Sequence, residues 1–283
     1  MTGITELIKE LREKTGAGFL DCKKSLEENN NNIEKSIESL RKKGLAKASK
    51  KTDRAANEGA VGVYSNNDIT ALIKVNSETD FAAKSDTFLN FLDSLGKLAL
   101  ENNSLTTKEN FLKMKYEKGN VQDYFNSMIA KIGENLVLND LLIKENNNSQ
   151  YSFYIHNSYR NNIGKIISFL EYSSNKNDEE IKIISKNLCM HIAAMKPESL
   201  DIEDLDKNFI ENEKKIQKEL ILNSGKPSNI VDKILEGKMK KFYSDVTLLN
   251  QSYILDQDKS VKDIINEFRN FEYKLISFEL FTL

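Results

Sequence analysis

The sequence predicts an α+β protein with a three-helix N-terminal module, a duplicated core with antiparallel sheets, and an antiparallel helical hairpin projecting from that core. Three observations carry this reading. A strand hairpin, a polar corner and an amphipathic helix follow one another twice along the chain, as two similar half-domains would require. The first 46 residues place apolar side chains at helical spacing, interrupted by glycines. Segment 207–242 carries two charged helical arms with a thin apolar seam, parted by Gly225-Lys226-Pro227, which ends one helix and opens the next.

In chain order, Ile4, Leu7, Ile8 and Leu11 form one apolar face, Leu20 and Leu26 mark a second helix, and Ile33, Ile37, Leu40 and Leu45 a third. Gly16 and Gly18 break the first pair, and Asn31 with Glu34 is a candidate cap for the third helix. Phe19 follows Gly18 in the first break. Spacing leaves open whether its ring protrudes as a docking residue or folds back as a core plug. Residues 47–58 are polar and charged and read as a linker or an extended helix tail. Val61 and Val63, the turn Ser65-Asn66-Asn67-Asp68 and the strand Ile69–Val75 form the first hairpin. A helix burying Phe88, Phe91 and Leu95 follows.

A helical stretch is expected over 108–134, then the apolar run Leu136–Ile143. The second copy pairs Tyr151–Ile155 with Ile163–Tyr172 through His156–Asn162. It continues with a polar corner, 173–178, and a helix carrying Ile181, Ile184, Leu188, Ile192 and Met195. In the charged hairpin the apolar positions are Phe209, Ile216 and Leu220 on one arm and Ile230, Ile234 and Phe242 on the other. Residues 246–283 return to the core as strand, short helix and final strand. The expected division is a 1–46 module, a 47–58 linker, a first core half 59–140, a second half 141–206 with 243–283, and the hairpin 207–242.

Composition narrows the function. The chain has 283 residues, with 41 basic and 43 acidic side chains and a formal charge of -2. Binding of nucleic acid through phosphate neutralisation needs clustered Lys and Arg in excess, so no direct nucleic-acid partner is expected. The basic run from Arg41-Lys42-Lys43 through Lys47, Lys50, Lys51 and Arg54 reads as a solvated helix end. No apolar run reaches the length of a membrane span, and the start lacks the features of a signal or transit peptide. A cytoplasmic protein without a membrane partner is expected. Cys22 and Cys189 lack metal-ligand spacing and read as reduced, half-buried thiols. No cofactor or metal site is expected, because Gly-rich phosphate loop, zinc-binding histidine pair and nucleophile elbow are all missing. Cys189 and His191 lie two apart on a helix and point to different faces, which makes a poor nucleophile and base. His191 reads as a packing residue near the core edge.

The most informative residues stand at the first corner: Thr79-Asp80-Phe81. An acid and an aromatic there could be an N-cap with a core anchor. The corresponding corner of the second copy carries only Ser, Asn, Lys and acids, which favours a special task for the first. Upstream lie Leu11-Arg12-Glu13-Lys14-Thr15-Gly16-Ala17-Gly18 and Asp21-Cys22-Lys23-Lys24. With Asn76-Ser77-Glu78-Thr79-Asp80-Phe81 and Lys131-Ile132-Gly133-Glu134-Asn135, these strings resemble the elongation factor Ts family over nearly the whole chain. That family consists of guanine-nucleotide exchange factors for elongation factor Tu.

The resemblance implies a ubiquitin-associated-like N-terminal module that docks on the partner's GTPase domain through Arg12, Phe19, Leu20 and Lys23. It implies an antiparallel coiled coil for the helical hairpin. It also implies that Phe81, within Thr79-Asp80-Phe81-Ala82, wedges between two helices near the partner's magnesium and phosphate site. Ala82 stands where the family commonly has valine. Ile132, Gly133 and His156, the last within Tyr154-Ile155-His156, match further contact positions. Some members carry a helical module after the last core strand; the chain as given ends at Leu283, and that contact is expected to be missing. The expected mode is binding linkage with GDP-bound and nucleotide-free elongation factor Tu, not covalent catalysis. A ubiquitin-associated-type adaptor or scaffold is the alternative, but it leaves the corner and the duplicated core without a task.

Overall fold

A computed structural model describes residues 3–101, 107–117, 119–146, 149–176, 178–224 and 227–283. Its helices and antiparallel sheets make it an α+β protein. It divides into two compact units, residues 1–147 with 157–166 and 281–283, and residues 148–156 with 167–280.

The first unit begins with α1 (Ile4–Thr15), α2 (Phe19–Glu28) and α3 (Ile33–Ser49). Ile8, Leu11, Cys22 and Leu26 form a small core against Leu7, Ile33, Ile37 and Leu40. Leu20, which helps mark α2 in the sequence, is 77% exposed, and the core face of that helix is made by Cys22, Ser25 and Leu26. The cap of α3 is Asn32, whose Oδ1 accepts from Lys35 N at 2.9 Å. Asn30 and Asn31 take left-handed backbone angles ahead of it, so the proposed Asn31–Glu34 pair sits one residue out of phase. Helix α3 runs on to Ser49, so the stretch after residue 46 begins as an extended helix tail, and the side chain of Leu45 lies outside the described residues. The basic run is also not simply solvated. Arg41 pairs with Asp123 at 3.3 Å, Lys43 with Glu28, Arg54 with Glu78 at 3.4 Å, and the Lys51 amine donates to the Gly133 carbonyl.

Strands β1 (Glu58–Ser65) and β2 (Ile69–Ser77) form the expected hairpin, and β2 continues the sheet onto an antiparallel β5 (Leu136–Glu145). Both faces of β2 are buried, so its period-2 pattern does not mark a solvent side. Helices α4 (Asp80–Lys84) and α5 (Asp86–Glu101) cover one face, where Phe88, Phe91, Leu92 and Leu95 meet Ala71, Ile73 and Val75. The expected 108–134 helix is broken. It consists of α6 (Lys108–Lys113), a ribbon β3 (Lys115–Tyr116) and β4 (Gly119–Asn120), and α7 (Val121–Ile132). The reason is local: Asn120 and Asp123 build a capping box that starts a new helix.

Strands β6 (Gln150–Arg160) and β7 (Ile163–Ser173) contribute to both units, and their turn is only Asn161–Asn162. His156 therefore lies in a strand, not in the connection proposed from sequence. In the second unit α8 (Glu179–Met195), capped by Asp178, buries Ile181, Ile184, Leu188 and Ile192 against Leu170 and Tyr172, whereas Met195 is exposed. Both cysteines are fully buried, not half-buried. Burial pushes the Cys189 thiol up to about 12, so it is inert at neutral pH. The chain continues through α9 (Lys207–Asn223), α10 (Ser228–Val246), β8 (Ser252–Tyr253), β9 (Asp256–Ser260), α11 (Val261–Glu267) and β10 (Lys274–Thr282).

Helices α9 and α10 pack together through Ile221, Val231, Leu235 and Met239, with Ile210, Ile234, Phe242 and Tyr243 partly covered. Of the expected seam residues, Ile234 and Phe242 pack in it and Phe209 sets its ring 5.4 Å from that of Phe242, whereas Ile216, Leu220 and Ile230 are exposed. Helix α9 carries two apolar stripes one residue apart, and beyond its first turn it packs through the one that ends on Ile221. Gly225 and Lys226 lie outside the described residues, as do Asn147 and Asn148.

His191 is fully buried rather than at a core edge. Its Nδ1 accepts from Ile254 N at 3.2 Å, so Nε2, 2.9 Å from Gln251 Oε1, carries the proton of a neutral ring. Burial lowers its pKa, against a smaller opposing effect of Gln251. With the folded pKa below the unfolded one, the unfolded chain takes up the proton first, and stability is lost as pH falls below about 6.5. Thermal midpoints compared at about pH 7 and about pH 5.5 should fall further for the native protein than for His191→Gln. Equal falls would show that His191 does not set the acid sensitivity.

Candidate functional site

The first corner is built by hydrogen bonds that the backbone cannot supply alone. Thr79 precedes α4 in extended conformation and its Oγ1 accepts from Ala82 N at 3.2 Å, so Thr79, not Asp80, is the N-cap. Asp80 opens the helix and accepts from the Lys84 ammonium at 2.7 Å. That bond, ahead of any other influence, holds its carboxyl below the usual range. Ser85 ends α4, donating to Ala82 O at 2.7 Å, and starts the next helix by accepting from Phe88 N at 3.2 Å.

Segment 131–135 comes to this corner from the end of α7. Gly133 stops the helix in the left-handed region, φ 89°, with its N–H on Ile129 O. Glu134 then reaches across: Thr79 N donates to Oε2 at 2.9 Å and Thr79 Oγ1 to Oε1 at 2.7 Å. In the other direction Asn135 N donates to Glu78 Oε1 at 2.7 Å. The Asn135 amide, buried, donates to the carbonyls of Thr52 and Arg54 at 3.3 and 2.8 Å, tying in the chain that leads to β1.

On this frame Phe81 is 84% exposed. Full burial of a phenylalanine side chain is worth about 1.5–3 kcal/mol, which this ring forgoes in the free protein. The core-anchor reading of Phe81 is therefore excluded. Thr79 is exposed, Asp80 partly covered, and Ala82 buried beneath the turn. Ile132 is partly covered and Gly133 exposed, both beside the corner through their neighbour Glu134. Arg12, Phe19, Leu20 and Lys23 are all exposed, with Phe19 and Leu20 adjacent at the start of α2. The open reading of Phe19 thus resolves towards protrusion. His156 belongs to the second unit, where its Nδ1 lies 3.1 Å from the Tyr154 hydroxyl.

Sequence reasoning did not assign tasks to Glu78, Glu134 and Asn135. The available signal was a carboxylate and an amide directly after a helix-ending glycine. Among the described residues no cluster of three or more His, Cys, Asp or Glu side chains could hold a metal. No helix of the described residues is long and apolar enough to cross a membrane.

Fold and corner together define an α+β protein that presents an aromatic side chain from a hydrogen-bonded strand-to-helix junction. The family model described as elongation factor TS matches residues 78–283. Elongation factor Ts of Rickettsia prowazekii is 40% identical over 260 residues, covering 92% of this chain and 84% of the relative. Those of Clostridium botulinum and Allorhizobium ampelinum are 39% identical over 263 residues and 37% identical over 268. They cover 92% and 94% of this chain, and 85% and 87% of the relatives. The chain belongs to the elongation factor Ts family, and it is a translation elongation factor of protein biosynthesis within a family of nucleotide exchange factors.

Proposed function

We propose that this protein binds elongation factor Tu, both GDP-bound and nucleotide-free, and promotes exchange of GDP for GTP by wedging Phe81 near the partner's magnesium and phosphate site. The observation that carries the reading is a phenylalanine exposed to 84% on a corner whose neighbours are tied by hydrogen bonds to the distant segment 134–135. A solvated aromatic on a hydrogen-bonded stretch of backbone needs little backbone ordering on docking and gains its burial only in the complex. Asp80, next to it, would orient the ring or exchange its Lys84 partner for a group on the GTPase. Thr79 and Ala82, on either side, belong to the same contact, with Ala82 supporting the turn from below.

The mechanism is linkage. A factor that binds the nucleotide-free partner more tightly than the GDP-bound partner weakens GDP binding by the same ratio, whatever the order of events. Each tenfold loosening corresponds to about 1.4 kcal/mol of differential binding. No covalent step is needed, so the protein acts as an exchange factor and not as an enzyme with a chemical centre. It works in the cytoplasm without direct contact to nucleic acid or membrane.

The remaining parts take supporting tasks. Residues 1–46 form a ubiquitin-associated-like module that docks on the GTPase domain through Arg12, Phe19, Leu20 and Lys23. Residues 47–58 join it to the first core half, 59–140, where Ile132 and Gly133 extend the contact around the wedge. The second half, 141–206 with 243–283, contributes His156. Residues 207–242 lie in an antiparallel coiled-coil hairpin outside the exchange surface. Replacing 207–242 by a short Gly linker should leave the remaining core folded and most exchange activity in place. Loss of the core's thermal transition would overturn that assignment.

Release of labelled GDP from elongation factor Tu, followed by stopped flow with and without this protein, tests the function itself. Acceleration is expected. Binding without acceleration would identify an adaptor instead.

A further inference from the structure

We infer that Glu134 is a positioning residue for exchange: its carboxylate grips Thr79 at two atoms and so presents Phe81 in the docking orientation. The inference rests on the wedge reading of Phe81 and adds the residue that sets it. Glu134 and Thr79 are 55 positions apart, yet both carboxylate oxygens are spent on Thr79, one on the backbone N–H and one on the hydroxyl. The same hydroxyl oxygen accepts from Ala82 N, on the far side of Phe81. Glu134 therefore reaches, through Thr79, the backbone on both sides of the ring.

The grip is reciprocal. Glu78, the residue before Thr79, accepts from the N–H of Asn135, the residue after Glu134. Two neighbouring carboxylates on two different segments thus each bind the other segment, which holds them against sliding. Gly133, adjacent to Glu134, is itself held by the Lys51 amine on its carbonyl. Ile132, Gly133 and Phe81, all assigned to partner contact, are thereby parts of one preset surface. Without the Glu134 carboxylate the short helix that carries Phe81 keeps its cap and the Glu78–Asn135 bond but loses both bonds on Thr79. Ordering of the corner would then fall to the moment of binding, which lowers apparent affinity and rate.

The chemistry of the grip separates positioning from direct contact. In Glu134→Gln the amide oxygen can accept from Thr79 N–H, and the amide nitrogen can donate to Thr79 Oγ1, whose second lone pair still serves Ala82 N. Two bonds survive and the charge is gone. Glu134→Ala loses both bonds. Glu134→Asp shortens the arm by one methylene and cannot span both atoms.

The test measures GDP release from elongation factor Tu for Glu134→Ala, Glu134→Gln, Phe81→Ala and the double variant Phe81→Ala/Glu134→Ala, with amide hydrogen exchange at Thr79 on each. Glu134→Ala should slow release at a fixed, sub-saturating factor concentration roughly fivefold to tenfold, with faster exchange of the Thr79 amide. Glu134→Gln should stay within about twofold of the native protein, and the double variant within about twofold of Phe81→Ala alone. If Glu134→Ala does not fold, Glu134→Asp is read in its place against the same criteria. Glu134→Gln as impaired as Glu134→Ala would overturn the inference, because the carboxylate charge would then be touching the partner. Additive effects in the double variant would overturn it as well. A normal rate for Phe81→Ala would instead remove the wedge reading. The grip is then decided by the Thr79 amide alone, and unchanged exchange in Glu134→Ala rejects it.

Discussion

Phe81→Ala should slow GDP release from elongation factor Tu at least roughly tenfold at fixed factor concentration, while the thermal midpoint of the free protein stays where it was. The rate effect follows from the cost of truncating an aromatic at an interface hot spot, about 2 kcal/mol or more, at about 1.4 kcal/mol per decade. The unchanged midpoint follows from exposure: a ring 84% open to solvent contributes little to the core of the free protein. The same substitution at Phe88 or Phe91, both fully buried in the helix behind it, would cost about 3–5 kcal/mol of stability. The two kinds of phenylalanine within ten residues are thus distinguishable by a melting curve alone. A destabilised Phe81→Ala, or a stable one with undiminished exchange, contradicts the wedge.

The second large effect is on the fold. Gly59 in β1 sits opposite Asn76 with φ 146°, a region that side-chain-bearing residues rarely enter. A Cβ placed there would lie 2.2 Å from the Val75 carbonyl oxygen and 2.7 Å from the Asn76 Cα. Both are backbone atoms of the central strand, so neither can rotate away. Strain at such an angle costs about 1–3 kcal/mol and forced overpacking about the same again. Gly59→Ala should therefore lower the thermal midpoint sharply and, by displacing the end of β2, loosen the corner that follows it. Gly237 is the matched control: it lies inside α10 with open space around it, and Gly237→Ala should stabilise by about 0.5–1 kcal/mol. If the two variants melt alike, the close approach at Gly59 is not what constrains it.

These predictions divide between what the chain states locally and what it states only when folded. Apolar residues at helical or alternating spacing are legible because the helix and strand periods are properties of the backbone itself. The three N-terminal helices, the β1–β2 hairpin with its polar turn, and α8 were readable for that reason. The strings around Arg12, Thr79 and Lys131 carried the family resemblance, again as contiguous residues. Errors of phase arose where two local choices were nearly equal. Asn31 and Asn32 are both competent caps, and only the observed start of α3 at Ile33 separates them. The interruption at 114–120 was hidden because α6 and α7 each have helical spacing, while the break depends on a capping box of two short polar side chains.

The sequence by itself determined the α+β class, the first strand hairpin with the helix that follows it, the family, and Phe81 as the residue to watch. Tertiary structure alone decided that Phe81 faces water and that Leu20 joins it outside. It also decided that α9 packs on Ile210 and Ile221 beside Phe209 and leaves Ile216 and Leu220 outside. It decided, too, that Glu134 holds Thr79. The physical reason is common to all of these. Which side of a residue is buried, and which carboxylate reaches which N–H across 55 positions, depend on how separate elements are brought together. Local periodicity says that an element has a face; only packing against another element says which face is used.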